Sequence, residues 1–399
     1  METLAPVAIA GIGCICSAGL TLKNSMGALY RGERRPAPPV SFSAPPAPVF
    51  PVFEIREDFL LSWEIQEQNV LRTCRLAMKA ALEAMDDAGL GRDFLKKKRV
   101  GVCIGTNVGS CVNNEAFYLK HGEGDDLLAA PQHRFLMSNP TSVLAGEFCT
   151  DGPLQTVVNA CSAGSDAIGL AAAWIRSDLC DVVIAGGADE LYQVTYTGFK
   201  SLLIYDESPC KPFDADRKGL NLGEGAAIFI LASERILKET PKKPRGFVMG
   251  YGSTTDAYHP TNTRPDGLGL KMAIQEAMAT GGISAAEISF VNAHGTGTRD
   301  NDLIECRVLN EMLPGVPFFS TKGYTGHTLG ASGAIEAAFT IACLEEGRIP
   351  ASAGFRTPDP ELAPACPVRE NSGITGRIAL SETLAFGGNN AVLILGTGK

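Results

Sequence analysis

The chain repeats itself, and that repeat confines it to folds built from two similar halves. The segment 76–85 (LAMKAALEAM) has helical spacing of small and apolar residues, and 270–278 (LKMAIQEAM) resembles it. After each comes a turn, then a short apolar strand running into glycine, 100–107 (VGVCIGTN) and 288–296 (ISFVNAHGT). Next, 157–161 (VVNAC) leads into a small-residue helix, just as 318–322 (FFSTK) leads into 330–338 (GASGAIEAA). Each half closes on an apolar strand, 226–231 and 391–395. Five matching elements in one order predict an α/β chain of two duplicated βαβ-rich halves. The strands are continuous apolar runs, so both sheets are expected to be covered on both faces. The break falls at 238–245, polar and proline-punctuated, which predicts a first half of 1–240 and a second of 241–399.

Composition narrows the class. Of 399 residues, 45% are hydrophobic and 20% charged, as in a water-soluble enzyme, and no apolar run is long enough to span a bilayer. The first residues (METLAP) carry no base ahead of their apolar stretch and do not read as a signal peptide. Twelve cysteines without a CxxC pair then imply reduced thiols, a cytoplasmic protein and no metal site. A net charge of −9 argues against nucleic acid as a partner. The basic runs 31–35 and 96–99 would suit an acidic carrier, although each taken singly reads as a solvated loop.

Among the cysteines, Cys161 stands apart. Val157 and Val158 lead in as a buried strand would, and a run of small residues (ACSAGSDAIG, 160–169) follows into a helix. The cysteine therefore falls at a strand-to-helix turn, where unpaired N–H groups and the positive end of the dipole favour a thiolate. A cysteine without such a setting is a small buried hydrophobe. Two of the five histidines, His294 and His327, lie in glycine-rich strand-end loops of the second half. Ligands bind at the carboxyl ends of strands in such sheets, and the pseudo-twofold implied by the repeat brings these ends together.

The motifs are similar to those of the elongating β-ketoacyl-acyl-carrier-protein synthases of the thiolase superfamily, with a Cys-His-His site. The resemblance rests on the cysteine motif, FDADRKG at 213–219 with GEG at 223–225, DAYH at 256–259, HGTGT at 294–298, STKGYTGH at 320–327 and FGGNN at 386–390. It covers nearly the whole chain. It implies a thiolase-like fold, a five-layer α-β-α-β-α sandwich, usually dimeric. It further implies a decarboxylative Claisen condensation, in which Cys161 accepts an acyl group and malonyl-acyl-carrier protein extends it. In that reading His294 and His327 hold the enolate, and backbone N–H groups of Cys161 and Phe386 form the oxyanion hole. Lys322 supplies a fixed positive charge with Glu305 as its ion-pair partner, Asp302 supports, Phe386 gates, and Glu336 is structural. The implied substrates ride on the phosphopantetheine of an acyl carrier protein, with no separate cofactor or metal.

The chain departs from the family pattern at two places. Ahead of the first long helix the family carries bases where the carrier docks; here 63–69 reads WEIQEQN, and the loop at 123–126 is acidic. Either a partner subunit supplies the basic face, as a chain-length factor does, or Arg72, Arg75 and Lys79 do the docking. Before Phe386 stands ETLA (382–385) where Asn-Ser-Phe-Gly is usual. Two other classes share parts of this pattern. A chain-length-factor-like partner of a heterodimeric ketosynthase would lack the cysteine, and a thiolase would need a second cysteine in the C-terminal glycine motif, which holds Phe386. Fatty-acid and polyketide or polyene pathways both remain open, as do homodimer and heterodimer.

Overall fold

The computed structural model describes residues 3–43, 47–56, 70–109, 139–240 and 242–398. Among these, the first half contributes strands β1 (Val7–Cys16), β2 (Val100–Gly105), β3 (Leu154–Val157), β4 (Val182–Asp189) and β5 (Gly225–Ala232). The second contributes β6 (Gly246–Thr255), β7 (Ile288–Asn292), β8 (Phe318–Phe319), β11 (Ile378–Ala385) and β12 (Asn389–Gly396). The two-residue strands β9 (Arg348–Ile349) and β10 (Ser372–Gly373) pair only with each other.

The ladder runs β3-β2-β4-β5-β1-β6-β12-β11-β7-β8. Read outward from the middle, each half presents its first, fifth, fourth, second and third strands. The pairing sense repeats as well. β2 lies parallel to β3 and β4 while β5 runs antiparallel to both neighbours; β7 lies parallel to β8 and β11 while β12 runs antiparallel to both of its own. The duplication is therefore topological and not merely compositional. The halves join through a short antiparallel contact, Val7 to Val248 and Ile9 to Gly246, which makes one continuous ladder of two five-strand blocks.

Helices supply the layers. Helix α1 (Arg72–Ala88) and α2 (Pro140–Phe148) cover the outer face of the first block, while α5 (Leu268–Gly281) and α6 (Arg299–Met312) cover that of the second. Between the blocks lie α3 (Ala163–Arg176) and α8 (Ser332–Glu346), packed on each other and on strands of both blocks. The result is the five-layer α-β-α-β-α arrangement. Small residues permit the central layer to close. A Cβ on Gly164 would lie 2.8 Å from the Gly330 carbonyl oxygen, so only glycine allows that approach. Among the described residues no helix is long and apolar enough to cross a membrane.

One local expectation fails. Among the described residues the strand before Cys161 is an edge strand, not a buried one: β3 pairs only with β2, and Leu154 and Val158 are 49% and 59% exposed.

Candidate active site

Cys161 follows β3 across a tight turn. Ala160 there has φ 48°, a left-handed conformation costly for a residue with a Cβ and least so for a small one. The turn is pinned by Asp166, whose carboxylate accepts from the Ser162 hydroxyl at 2.7 Å, from the Asn159 amide and from the Tyr251 hydroxyl at 2.6 Å. The thiol is buried, and burial pushes it up to about 11, against the pull of Lys322 and of the Phe386 and Cys161 N–H groups. The expected thiolate is thus corrected. Enclosure between the two halves outweighs the helix terminus, and the resting sulfur is protonated.

From the other half, β7 delivers His294 and β8 delivers Lys322 and His327. Lys322 opens the single turn α7 (Lys322–Thr325), and its ammonium donates to His294 Nδ1 at 2.9 Å and to the His294 carbonyl at 2.6 Å. An ammonium has no lone pair, so His294 Nδ1 is the acceptor and its proton sits on Nε2. At His327 the backbone N–H of Leu329 donates to Nδ1 at 3.0 Å, which assigns the same tautomer. Burial first, then the charge of Lys322, holds both imidazoles well below the usual histidine range. Two neutral rings, 5.3 Å apart and nearly perpendicular, each therefore carry an Nε2–H. Ring nitrogens of both and the Cys161 sulfur lie within 4.8 Å of one another. Together they line a cavity of about 360 Å³ that also includes Phe199, Leu220 and Phe386.

Comparison with known proteins decides the family. Residues 52–235 match the model described as beta-ketoacyl synthase, N-terminal domain, and 245–356 match its C-terminal domain. The chain belongs to the beta-ketoacyl synthase family. It is 31% identical over 404 residues, 97% of each chain, to a 3-oxoacyl-[acyl-carrier-protein] synthase 2 of Synechocystis sp.. It is 33% identical over 309 residues, 73% of this chain and 72% of the other, to the Streptomyces glaucescens tetracenomycin polyketide synthase ketoacyl synthase alpha subunit. A solved structure described as the ishigamide ketosynthase/chain length factor matches over 100% of both chains, with TM-score 0.90 and 29% identity.

Within this synthase the expected partner of Lys322 is corrected. The ammonium pairs with Glu336, on the second turn of α8, and not with Glu305. Glu336 also accepts from the Ser332 hydroxyl at 3.1 Å, so it is the buried counter-ion and not a bystander. Glu305, on α6, instead accepts the backbone N–H groups of His294 and Gly295 and the Asn301 amide. It shapes the loop that carries His294. Asp302 lies outside the cavity lining and is buried; it accepts the Phe213 N–H at 2.7 Å and faces Arg217, tying the 213–219 loop to the HGTGT loop. Phe386 sits half-buried before Gly387 and Gly388, both at positive φ, and its ring stacks on Phe199 at 5.4 Å. His259 is in an exposed loop, its Nδ1 bonded to the N–H groups of Thr261 and Asn262.

Two contributors escaped the sequence reading. Phe199, on α4 (Gln193–Ser201), walls the cavity beside His327, and nothing in its own segment marks it. Asp189, at the end of β4, accepts from Thr106 at 2.6 Å, from the Val108 N–H at 2.9 Å and from the Gly330 N–H at 2.7 Å. It binds the first half to the loop after His327; a lone aspartate closing an apolar strand was the available signal. Among the proposed docking bases, Arg72 is already committed to buried Glu224 and the Ile55 carbonyl. The stretch 63–69, the acidic loop at 123–126, His121 and His133 lie outside the described residues.

Proposed function

We propose that this chain catalyses the decarboxylative Claisen condensation of a Cys161-bound acyl group with malonyl-acyl-carrier protein, giving 3-oxoacyl-acyl-carrier protein. The observation that carries this reading is the convergence of one sulfur and two neutral Nε2–H donors in a single cavity. In loading, the Cys161 sulfur attacks the acyl thioester carbonyl, the Cys161 and Phe386 N–H groups receive the oxyanion, and the pantetheine thiol leaves with the proton. In condensation, the malonyl C–C bond breaks, CO2 departs, and the electron pair becomes a thioester enolate. Its oxygen takes both Nε2–H donors, each worth roughly 10²–10³ in rate for a preorganised oxyanion contact. The enolate carbon attacks the acyl-Cys161 carbonyl, the S–C bond breaks, and water reprotonates the sulfur. Lys322 keeps both rings neutral, and Glu336 neutralises Lys322 in turn. No metal or further cofactor enters these steps; the phosphopantetheine arm belongs to the carrier.

A chain-length-factor-like role would leave the thiol, the paired imidazoles and the buried Lys322 without work, and the catalytic reading accounts for all of them. For assembly, the outer edge of β3, unpaired among the described residues, and the exposed Leu154 and Val158 along it support a dimer through this strand, since a bare edge is a template for pairing. The reduced thiols support a cytoplasmic setting. Intact-mass analysis of Cys161 acylation across a panel of acyl carriers, with and without candidate partner subunits, tests the reading. Acylation by the chain alone, lost in C161A, supports a homodimeric enzyme. Acylation that requires a second subunit supports a heterodimer, and none under either condition refutes the proposal.

A further inference from the structure

We propose that Asp189 is a positioning residue: by holding the Gly330 N–H it keeps Leu329 in the left-handed conformation that aims the Leu329 N–H at His327 Nδ1. The inference rests on the condensing reading above only for its consequence in catalysis. Asp189 ends β4, in the half that carries Cys161, so one half sets the imidazole of the other.

The backbone from His327 to Gly330 is tied at both ends. At one end the His327 N–H donates to the Asn221 carbonyl at 2.8 Å, and the His327 carbonyl accepts from the Gly223 N–H at 3.0 Å. At the other the Gly330 N–H donates to Asp189 Oδ2 at 2.7 Å. Between them Leu329 has φ 55°, a conformation that leucine rarely adopts. Turning φ back to its ordinary negative range, with Gly330 held, swings the Thr328–Leu329 peptide. Its N–H then leaves His327 Nδ1, which it now meets at 3.0 Å. The strain is retained where it orients a ring of the site. Asp189 is itself anchored for this task. Its Oδ1 accepts the Thr106 hydroxyl at 2.6 Å and the Val108 N–H at 2.9 Å, and the Asn107 N–H reaches the two oxygens at 3.1 and 3.0 Å. These donors converge on a fully buried carboxylate and favour its anion. An asparagine there would turn its amide N–H2 group toward other donors.

The test has one arm independent of activity. Nitrogen NMR with isotope-labelled histidine, the His327 signals being assigned by their loss in H327Q, should show the Nε2–H tautomer in the wild type. In D189N the Nδ1–H tautomer should appear beside it. A folded D189N with an unchanged tautomer overturns the proposal. The second arm does not need D189N to fold. Leu329 is buried; valine in its place keeps most of the volume but resists a positive φ, whereas glycine deletes the side chain and accepts that φ. L329V should therefore lower kcat for malonyl decarboxylation about tenfold, the scale of one left-handed residue, without raising KM. L329G should lose less. L329G losing as much or more, as simple packing of Leu329 demands, overturns the positioning role. Failure of the condensing reading would instead show as no acylation of the wild type, with the His327 tautomer unaffected.

Discussion

Lys322 donates to Nδ1 of His294 at 2.9 Å while its charge is balanced by Glu336, so one buried ammonium fixes both tautomer and protonation state at the neighbouring ring. Removing it has two separable effects. Lys322→Met should lower decarboxylation by roughly 10²–10³, because His294 loses its orienting donor and Glu336 becomes an uncompensated anion. It should also destabilise the fold by about 3–5 kcal/mol, the scale for breaking one side of a buried pair. The double variant K322M/E336Q should recover most of the stability and none of the activity; denaturant melts and malonyl-carrier decarboxylation assays measure the two.

The Cys161 sulfur offers a direct titration. Its pKa is raised to about 11, so the thiolate fraction grows tenfold for each pH unit below that value. Alkylation at Cys161, followed by intact mass, should still be climbing at pH 9 instead of reaching a plateau. In K322M the climb should begin at still higher pH, because the stabilising charge is gone. A plateau near neutral pH would show that the helix terminus governs the sulfur after all.

The imidazoles should separate the half-reactions. In the proposed mechanism acyl loading uses the Cys161 and Phe386 N–H groups, whereas the enolate uses the two Nε2–H donors. His294→Ala and His327→Ala should therefore each cost roughly 10²–10³ in decarboxylation and much less in acyl transfer. His327→Gln should fall between alanine and wild type, since its amide nitrogen reaches about as far as Nε2. Both rings titrate well below the ordinary histidine value of 6.5, so decarboxylation should show no histidine step from pH 6.5 to 8. Equal loss of both half-reactions in the alanine variants would show that the rings serve loading as well.

Much of this site is legible in the chain because the duplication places Cys161 and His327 after the third strand of each half, with His294 at the end of the neighbouring β7. The repeat also carries the fold class, since period, order and apolar runs are local properties. What escaped depends on which way helices face after packing. Glu305 and Glu336 both lie within reach of Lys322 along the chain, yet only α8, pressed between the blocks, turns its second-turn carboxylate onto the ammonium. The protonated Cys161 likewise reflects enclosure by the opposite half, which no turn motif records. Phe199 reaches the cavity from a helix whose sequence has no site signature.

The central layer gives a stability test that leaves the chemistry aside. A Cβ on Gly333, in the first turn of α8, would lie 2.0 Å from the Ser165 hydroxyl and 2.9 Å from that of Thr383. Both hydroxyls are buried and bonded to each other at 3.2 Å, so neither swings away without losing its partner. Gly333→Ala should destabilise by about 1–3 kcal/mol through overpacking, despite the better helix propensity of alanine. Ser165→Ala removes the nearest clashing atom. In the double variant the cost of Gly333→Ala should shrink, a coupling that equilibrium unfolding of the four proteins measures directly. Additive losses would mean that the two helices part slightly to admit the methyl group, and that the close approach of α3 and α8 is not what selects glycine there.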